Sequence, residues 1–314
     1  LLLSLTLLVA MALPGMVTAQ DPTQITFWHA MSGSRAEVVQ AIVDSFNEAN
    51  PDVNLVAEFT GSYAETLTKA LTAFSAGEAP NIVQVYEVGT RTMLDSGAIV
   101  PVMEVSGGAL DQSQFVQPIL NYYAIDDELR CMPFNSSTAM LYYNKDMFNA
   151  AGITEPPKTW QEFDSAVEKL TMVDSVGNII RAGAAIGTAQ NVNMSSDLLS
   201  LLMMQHGVQF PTDKNMRAKF DEGVLGPDGT VVQAGERALA YYTKFSRVSD
   251  SGNVANKLYT WNSRQKDSLE AFSEGTVGMM FSYYSRYDDI KSKNPKLNFG
   301  VAPVPQFDSN KPIT

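Results

Sequence analysis

Between Ile25 and Tyr86 the chain alternates between strand-like runs and helical stripes, and this alternation constrains the fold more than any other stretch. Ile25-Thr26-Phe27-Trp28 is a short apolar run with strand character. Ser34, with Glu37 three residues on, has the spacing of a capping box. Val38, Ile42 and Phe46 recur at helical spacing beside Val39 and Val43, up to Asn50-Pro51. Proline ends that helix, because it cannot continue the ladder and disfavours helical geometry in the residue before it. The pattern then repeats. Asn54 to Phe59 reads as a strand, and Ser62 with Glu65 as a second capping box. Leu67, Leu71 and Phe74 form an apolar helical face that closes at Gly77, and Ile82 to Tyr86 reads as a third strand. Strand–helix–strand–helix–strand implies right-handed crossovers and a parallel sheet. In open sheets of this kind ligands bind beyond the carboxyl ends of the strands. Those ends are Trp28-His29, Gly61-Ser62-Tyr63 and Tyr86-Glu87, so aromatic and polar residues converge on one rim from three places.

The rest of the chain reads as more α/β structure. Phe115 to Tyr123 is predicted to be helical, Ala139 to Tyr143 a strand, and Asn144 onward a short helix ending at Gly152. Thr159 and Glu162 make a third capping box, with Trp160, Phe163, Val167 and Leu170 on one helical face, which assigns Trp160 to a core. Strands are expected at Ala182–Ile186, Val277–Phe281 and Phe299–Val304. Helices are expected at Ser196–His206, Gly235–Phe245, Arg264–Ser273 and Ser285–Ser292. His206, next to Gly207, is expected to favour its helix C-terminus electrostatically.

Composition removes several function classes. At 314 residues two domains are the expectation. A net charge of −12 argues against nucleic acid or an anionic membrane surface as partner. The single cysteine, Cys131, allows no disulfide within the chain and reads as a small buried hydrophobe. With His29 and His206 as the two histidines, no zinc-spaced cluster exists, and no phosphate loop, dinucleotide fingerprint or EF-hand ladder is present, so no metal or cofactor is expected. Ser136 and Ser137 lack a Gly-x-Ser-x-Gly elbow, and neither histidine has an evident orienting acid, so an enzyme is not expected. Leu1 to Leu13 is an apolar run broken by Pro14-Gly15, and Val17-Thr18-Ala19 offers small residues to a signal peptidase. The reading is a secretory signal over residues 1–19, lacking its charged start, and a soluble exported mature protein.

Several stretches carry a resemblance. Phe27-Trp28-His29, Ser62-Tyr63-Ala64-Glu65-Thr66-Leu67, Gln84-Val85-Tyr86-Glu87-Val88-Gly89-Thr90 and Pro133-Phe134-Asn135-Ser136-Ser137-Thr138 resemble the sn-glycerol-3-phosphate-binding proteins of ABC importers. Leu141-Tyr142-Tyr143-Asn144-Lys145-Asp146 and Pro156-Pro157-Lys158-Thr159-Trp160 extend the likeness. These stretches are shared with the wider family of extracellular, or periplasmic, solute-binding proteins. The likeness is dense from Ile25 to Trp160, thin from Ala182 to Trp261, and weaker again over Gly275–Pro303. It implies a type II periplasmic-binding-protein fold: two α/β lobes joined by crossing strands, with a ligand cleft and a hinge. Lobe one would be residues 23–137 plus 283–314, and lobe two residues 138–282. It also implies a glycine-rich strand and further Gly, Tyr and Arg contacts beyond Thr314, so that the fold here is C-terminally truncated.

The family's ligand-contacting Tyr, Glu and Ser fall on Tyr63, Glu87 and Ser137. A further family Ser aligns with Tyr283, with Ser282 one residue away, and that departure bears on phosphate recognition. A carboxylate at Glu87 accepts hydroxyl protons and repels phosphate, so it suits the polyol end of a ligand. Tyr63, in the first turn of a helix, reads as a ligand contact or as packing. Trp28 and Trp261 read as sugar-stacking faces or as packing residues, and His29 as a cleft residue or a loop histidine. The function implied is capture of sn-glycerol-3-phosphate or a glycerophosphodiester, by a monomer, for an ABC permease in the membrane. A mono- or oligosaccharide is the alternative ligand. A secreted α/β hydrolase and service to a chemoreceptor are more distant readings.

Overall fold

The structure, a computed structural model, describes residues 21–125, 128–210, 219–226, 229–249, 255–308, 310 and 312–313, without the side chains of 87, 88, 121, 122, 125 and 128. The expected signal sequence lies outside the described residues. Contacts divide the chain into two units, before and after the Ser136–Ser137 bond.

The first unit follows the expected alternation. Its elements are β1 (Thr23–His29), α1 (Ser34–Ala49), β2 (Val53–Phe59), α2 (Tyr63–Ala76), β3 (Ile82–Val83) and α3 (Glu87–Asp95). The sheet order is β2-β1-β3 and both pairings are parallel, with His29 opposite Phe59 and Trp28 opposite Val83. The carboxyl ends of all three strands therefore lie along one edge. The box at α2 forms as expected: Glu65 N–H donates to Ser62 Oγ, and Ser62 N–H donates to Glu65 Oε2 at 2.6 Å. Gly77 closes α2 with φ 75°, a left-handed conformation that a side chain would oppose.

Two local expectations differ. The cap of α1 is Gly33, and Ser34 is already helical, so the Ser34–Glu37 box does not form. The buried edge of α1 is Val39 and Val43, while Val38, Ile42 and Phe46 are exposed. The third strand also stops after Val83. Its hydrogen bonding passes to the Gln84 and Asn81 side chains, and Thr90 then donates to the Tyr86 carbonyl through both N–H and Oγ1, starting α3. Short elements complete this unit: α4 (Val102–Val105), a single 3-10 turn at Gln112–Gln114, α5 (Gln117–Tyr123), and the antiparallel pair β4 (Ala124–Ile125) and β5 (Glu128–Leu129).

The second unit begins with β6 (Ala139–Asn144), α6 (Lys145–Ala150), α7 (Trp160–Leu170), β7 (Met172–Val173), β8 (Ile179–Ala185) and α8 (Ser195–Gln205). A small ribbon, β9 (Val224–Leu225) and β10 (Val231–Val232), precedes α9 (Ala234–Lys244), α10 (Ser268–Ser273), β11 (Val277–Tyr283), α11 (Tyr287–Lys293) and β12 (Phe299–Pro303). The sheet order is β12-β6-β11-β8-β7. Alternation along β6 and β11 sends Leu141, Met279 and Phe281 to one face and Tyr142 and Met280 to the other. The first face meets Trp160, Phe163, Val167 and Leu170 of α7 with α8 and α9, and the second meets Phe272, Ile290 and Trp261. The Thr159–Glu162 box forms, and Trp160 is core, its indole N–H donating to Gln205 at 2.7 Å.

The sequence reading put residues 283–314 with the first lobe. In the structure β12 runs antiparallel beside β6, Phe299 opposite Asn144 and Pro303 opposite Met140, so Phe299–Pro303 is an edge strand of the second unit's sheet. Phe299 packs on Tyr142 and Phe272 there, which gives the placement its apolar reason. His206 also differs. Its Nδ1 donates to the Leu202 carbonyl at 2.8 Å while burial lowers its pKa, so it serves α8 as a hydrogen-bond donor rather than as a charge.

Candidate functional site

The parallel sheet of the first unit fixes what stands at its rim. Tyr63 is the first residue of α2 and Tyr86 is the cap of α3, so each ring sits where a helix begins beyond a strand end. The rings stack, with centroids 5.6 Å apart and planes 25° apart, and both are half-buried. Gly89 makes room for the Tyr86 ring: a Cβ there would lie 3.1 Å from Leu67 and 3.3 Å from that ring. Glu87 is the first residue of α3, and its side chain is outside the described set.

Other rim residues are less available than the sequence suggests. His29 is 4% exposed, held between Phe27 and Phe59, and its Nδ1 accepts Met31 N–H at 3.1 Å. Burial lowers its pKa, and the accepted bond itself requires a neutral ring. Trp28 points to the α2 side of the sheet, where the Lys69 ammonium lies 4.1 Å above its ring and also pairs with Glu58. One face of that indole is thus already occupied by a cation.

Electrostatics at the start of α2 are set by Glu65. Its carboxylate takes the Ser62 N–H, and the Ser62 hydrogen bonds hold it below the usual carboxylate range. This helix end already carries an anion of its own. A neutral hydroxyl is favoured beside Tyr63 over a phosphate.

In the second unit Ser137 is exposed, one residue past the division between units. Ser282 is 2% exposed within β11, opposite Met140. Tyr283 is half-buried, and its hydroxyl donates to Asp197 at 2.5 Å. Trp261 is fully buried and donates to Asn191 Oδ1 at 3.1 Å, so its ring has no face open to a ligand here. Cys131 is half-buried, and desolvation raises its pKa, which keeps the thiol protonated. Among the described residues, no three acidic, histidine or cysteine side chains are grouped to hold a metal ion.

The sequence reading missed Gln84 as a structural centre and missed α3. Thr90, four residues after Tyr86 and able to bond back to its carbonyl, was the available signal for that helix.

Comparison with known proteins settles the family. Residues 41–313 match the bacterial extracellular solute-binding protein family. This chain belongs to that family. An extracellular location accompanies membership. One relative, the sn-glycerol-3-phosphate-binding periplasmic protein UgpB of Salmonella paratyphi A, is 33% identical over 290 residues, which are 90% of this chain and 61% of that protein. The chain therefore spans about three fifths of the length of that relative. Among solved structures, UgpB from Mycobacterium tuberculosis in complex with glycerophosphocholine superimposes with a TM-score of 0.69 at 19% identity, covering 91% of this chain and 68% of that one. A cyclic α-maltosyl-1,6-maltose binding protein from Arthrobacter globiformis gives 0.67 at 22% identity, covering 91% and 67%. At these identities the structures speak to fold, and the fold they share with this chain is the two-lobed α/β fold of periplasmic binding proteins. The named relatives are binding proteins.

Proposed function

We propose that this chain is the ligand-binding component of an ABC importer, and that it captures sn-glycerol-3-phosphate or a glycerophosphodiester outside the cytoplasmic membrane and delivers it to a permease. The observation that carries the binding reading is the stacked Tyr63–Tyr86 pair beside the first residue of α3, Glu87, at the carboxyl edge of a parallel sheet. Its support from relatives is the 33% identity to a glycerol phosphate binder. The proposed contacts are Tyr63, Glu87 and Ser137, with Tyr63 and Glu87 meeting the glycerol hydroxyls. Trp261 is left out because its ring is fully buried. Ligand favours a closed state only through its greater affinity for that state. No chemical step is part of this function, so a bound ligand is recovered unchanged.

The saccharide reading keeps one specific support: Tyr283 stands where the phosphate-binding relatives are expected to place a serine, and its hydroxyl is engaged by Asp197. A thermal-shift panel of sn-glycerol-3-phosphate, glycerophosphocholine, glycerol and maltotriose separates the two. A ligand at 100 times its Kd adds about 2.7 kcal/mol of stability. Stabilisation by the phosphorylated compounds alone is the expected result. Stabilisation by maltotriose alone reverses the assignment, and turnover of any ester in the panel removes the binding-protein reading.

A further inference from the structure

Gln84 is 6% exposed and joins three segments of the first unit. Its backbone N–H donates to the Trp28 carbonyl at 2.8 Å, its Oε1 accepts the Ala30 N–H at 3.0 Å, and its Nε2 donates to Asn135 Oδ1 at 2.8 Å. Chemistry fixes the orientation of the amide. A backbone N–H can only donate, so Oε1 must face Ala30, and Nε2 is left for Asn135. No other side chain of this length accepts at one atom and donates at the other: leucine does neither, glutamate lacks the donor, and lysine lacks the acceptor.

The two partners are the segments that matter for the rim. Ala30 opens the loop at the end of β1, where the next amide, Met31, is held by His29. Asn135 is exposed and stands two residues before Ser137, at the point where the chain leaves the first unit. Gln84 itself lies two residues before the stacked Tyr86.

We propose that Gln84 is a positioning residue for ligand binding: acting through Asn135 and Ala30, it fixes the strand-end loop and the chain leading to Ser137 at the rim that carries Tyr63 and Tyr86. The proposal rests on the binding function above. Asn135→Ala removes the acceptor at an exposed position, so the fold is little disturbed, and Asn135→Asp keeps the acceptor. Titration calorimetry with sn-glycerol-3-phosphate should show about fivefold weaker binding for Asn135→Ala, the worth of one hydrogen bond. Asn135→Asp, measured at high salt to screen its charge, should bind within about twofold of the parent. Gln84→Leu should weaken binding at least as much as Asn135→Ala, and adding Asn135→Ala to it should change nothing further.

A ligand-free readout runs beside these. Hydrogen exchange at the Ala30 amide should accelerate in Gln84→Leu and stay slow in Asn135→Ala. Unchanged exchange at Ala30 in Gln84→Leu overturns the proposal whatever the ligand. Parent-like affinity in Asn135→Ala, with only a lowered melting temperature, also overturns it, because the contact would then be structural alone. If the unmutated protein binds no sn-glycerol-3-phosphate, the ligand reading fails, and the same variants titrated with maltotriose decide the positioning role by the same outcomes.

Discussion

If Tyr86 holds Tyr63 in place for the ligand, the two rings must act as one unit in binding. The structure gives the pair an offset-stacked geometry at 5.6 Å with both rings half-buried. Such a pair is worth about 0.5–1.5 kcal/mol beyond its area burial. Removing Tyr86 leaves Tyr63 with rotamers that binding must then freeze, at a cost of about 0.5–1.5 kcal/mol for the side chain. That converts to roughly 2- to 12-fold in Kd. Tyr63→Phe loses only the hydroxyl contact, about 1 kcal/mol or roughly fivefold. Tyr63→Ala loses both ring and hydroxyl and should be the weakest single variant. The double variant Tyr63→Ala/Tyr86→Ala should bind no more weakly than Tyr63→Ala, since Tyr86 then has nothing to hold. Calorimetric titration of all four with sn-glycerol-3-phosphate, at one pH and salt, completes the cycle. Additive losses would show that Tyr86 meets the ligand by itself, or that neither ring acts through the other, and the argument from the stack would be wrong.

Three further outcomes follow from individual contacts. Thr159→Ala breaks the capping box of α7, in which Glu162 N–H donates to Thr159 Oγ1 at 3.2 Å, and should lower stability by about 1 kcal/mol in urea unfolding with an unchanged m value. The neutral His29 makes stability pH-dependent: its folded pKa lies below 6.5, so its contribution is complete above 6.5 and is lost as the pH falls from there toward the folded value, and His29→Gln should flatten that part of a urea-midpoint profile. Glu65→Gln keeps the geometry of the α2 box but removes the charge beside Tyr63. Affinity for sn-glycerol-3-phosphate should change by less than about twofold if a hydroxyl sits there, and should rise severalfold, with a steeper salt dependence, if the phosphate does.

Legibility in the sequence tracked how local the determining physics was. The boxes at Ser62–Glu65 and Thr159–Glu162 are settled within four residues, and both form as read. The Ser34–Glu37 pair has the same letters, yet Gly33 takes the cap position and shifts the helix start by one residue. The face of α1 was legible as a stripe, but not which edge of it is buried. Val39 and Val43 are buried and Val38 and Ile42 are not, which depends on how the helix lies on β2. The shortness of β3 was hidden because side chains of Asn81 and Gln84 replace ladder bonds that a hydrophobicity pattern assigns to the backbone. Placement of β12 beside β6 is a pairing over a separation of about 150 residues, and no local signal reports it. For the rim, strand ends and helix starts by themselves point to Tyr63 and Glu87. The likeness added Ser137, and only coordinates could show Trp261 buried and Gln84 central.

The chemistry of the first unit's rim bears on why one scaffold serves both phosphorylated and saccharide ligands among its relatives. Glu65 takes the Ser62 N–H and sets its own negative charge at the α2 terminus, which opposes an anion there. Lys69, whose ammonium lies over the Trp28 ring, is engaged by Glu58. His29 is buried and neutral. What remains at this edge is aromatic surface at Tyr63 and Tyr86 and the proposed acceptor at Glu87, a combination that suits C–H faces and hydroxyl pairs. Glycerol and a sugar ring both present those groups. On the proposed function, the first unit supplies contacts to what the two ligand classes share, and discrimination of a phosphate is assigned to residues outside it.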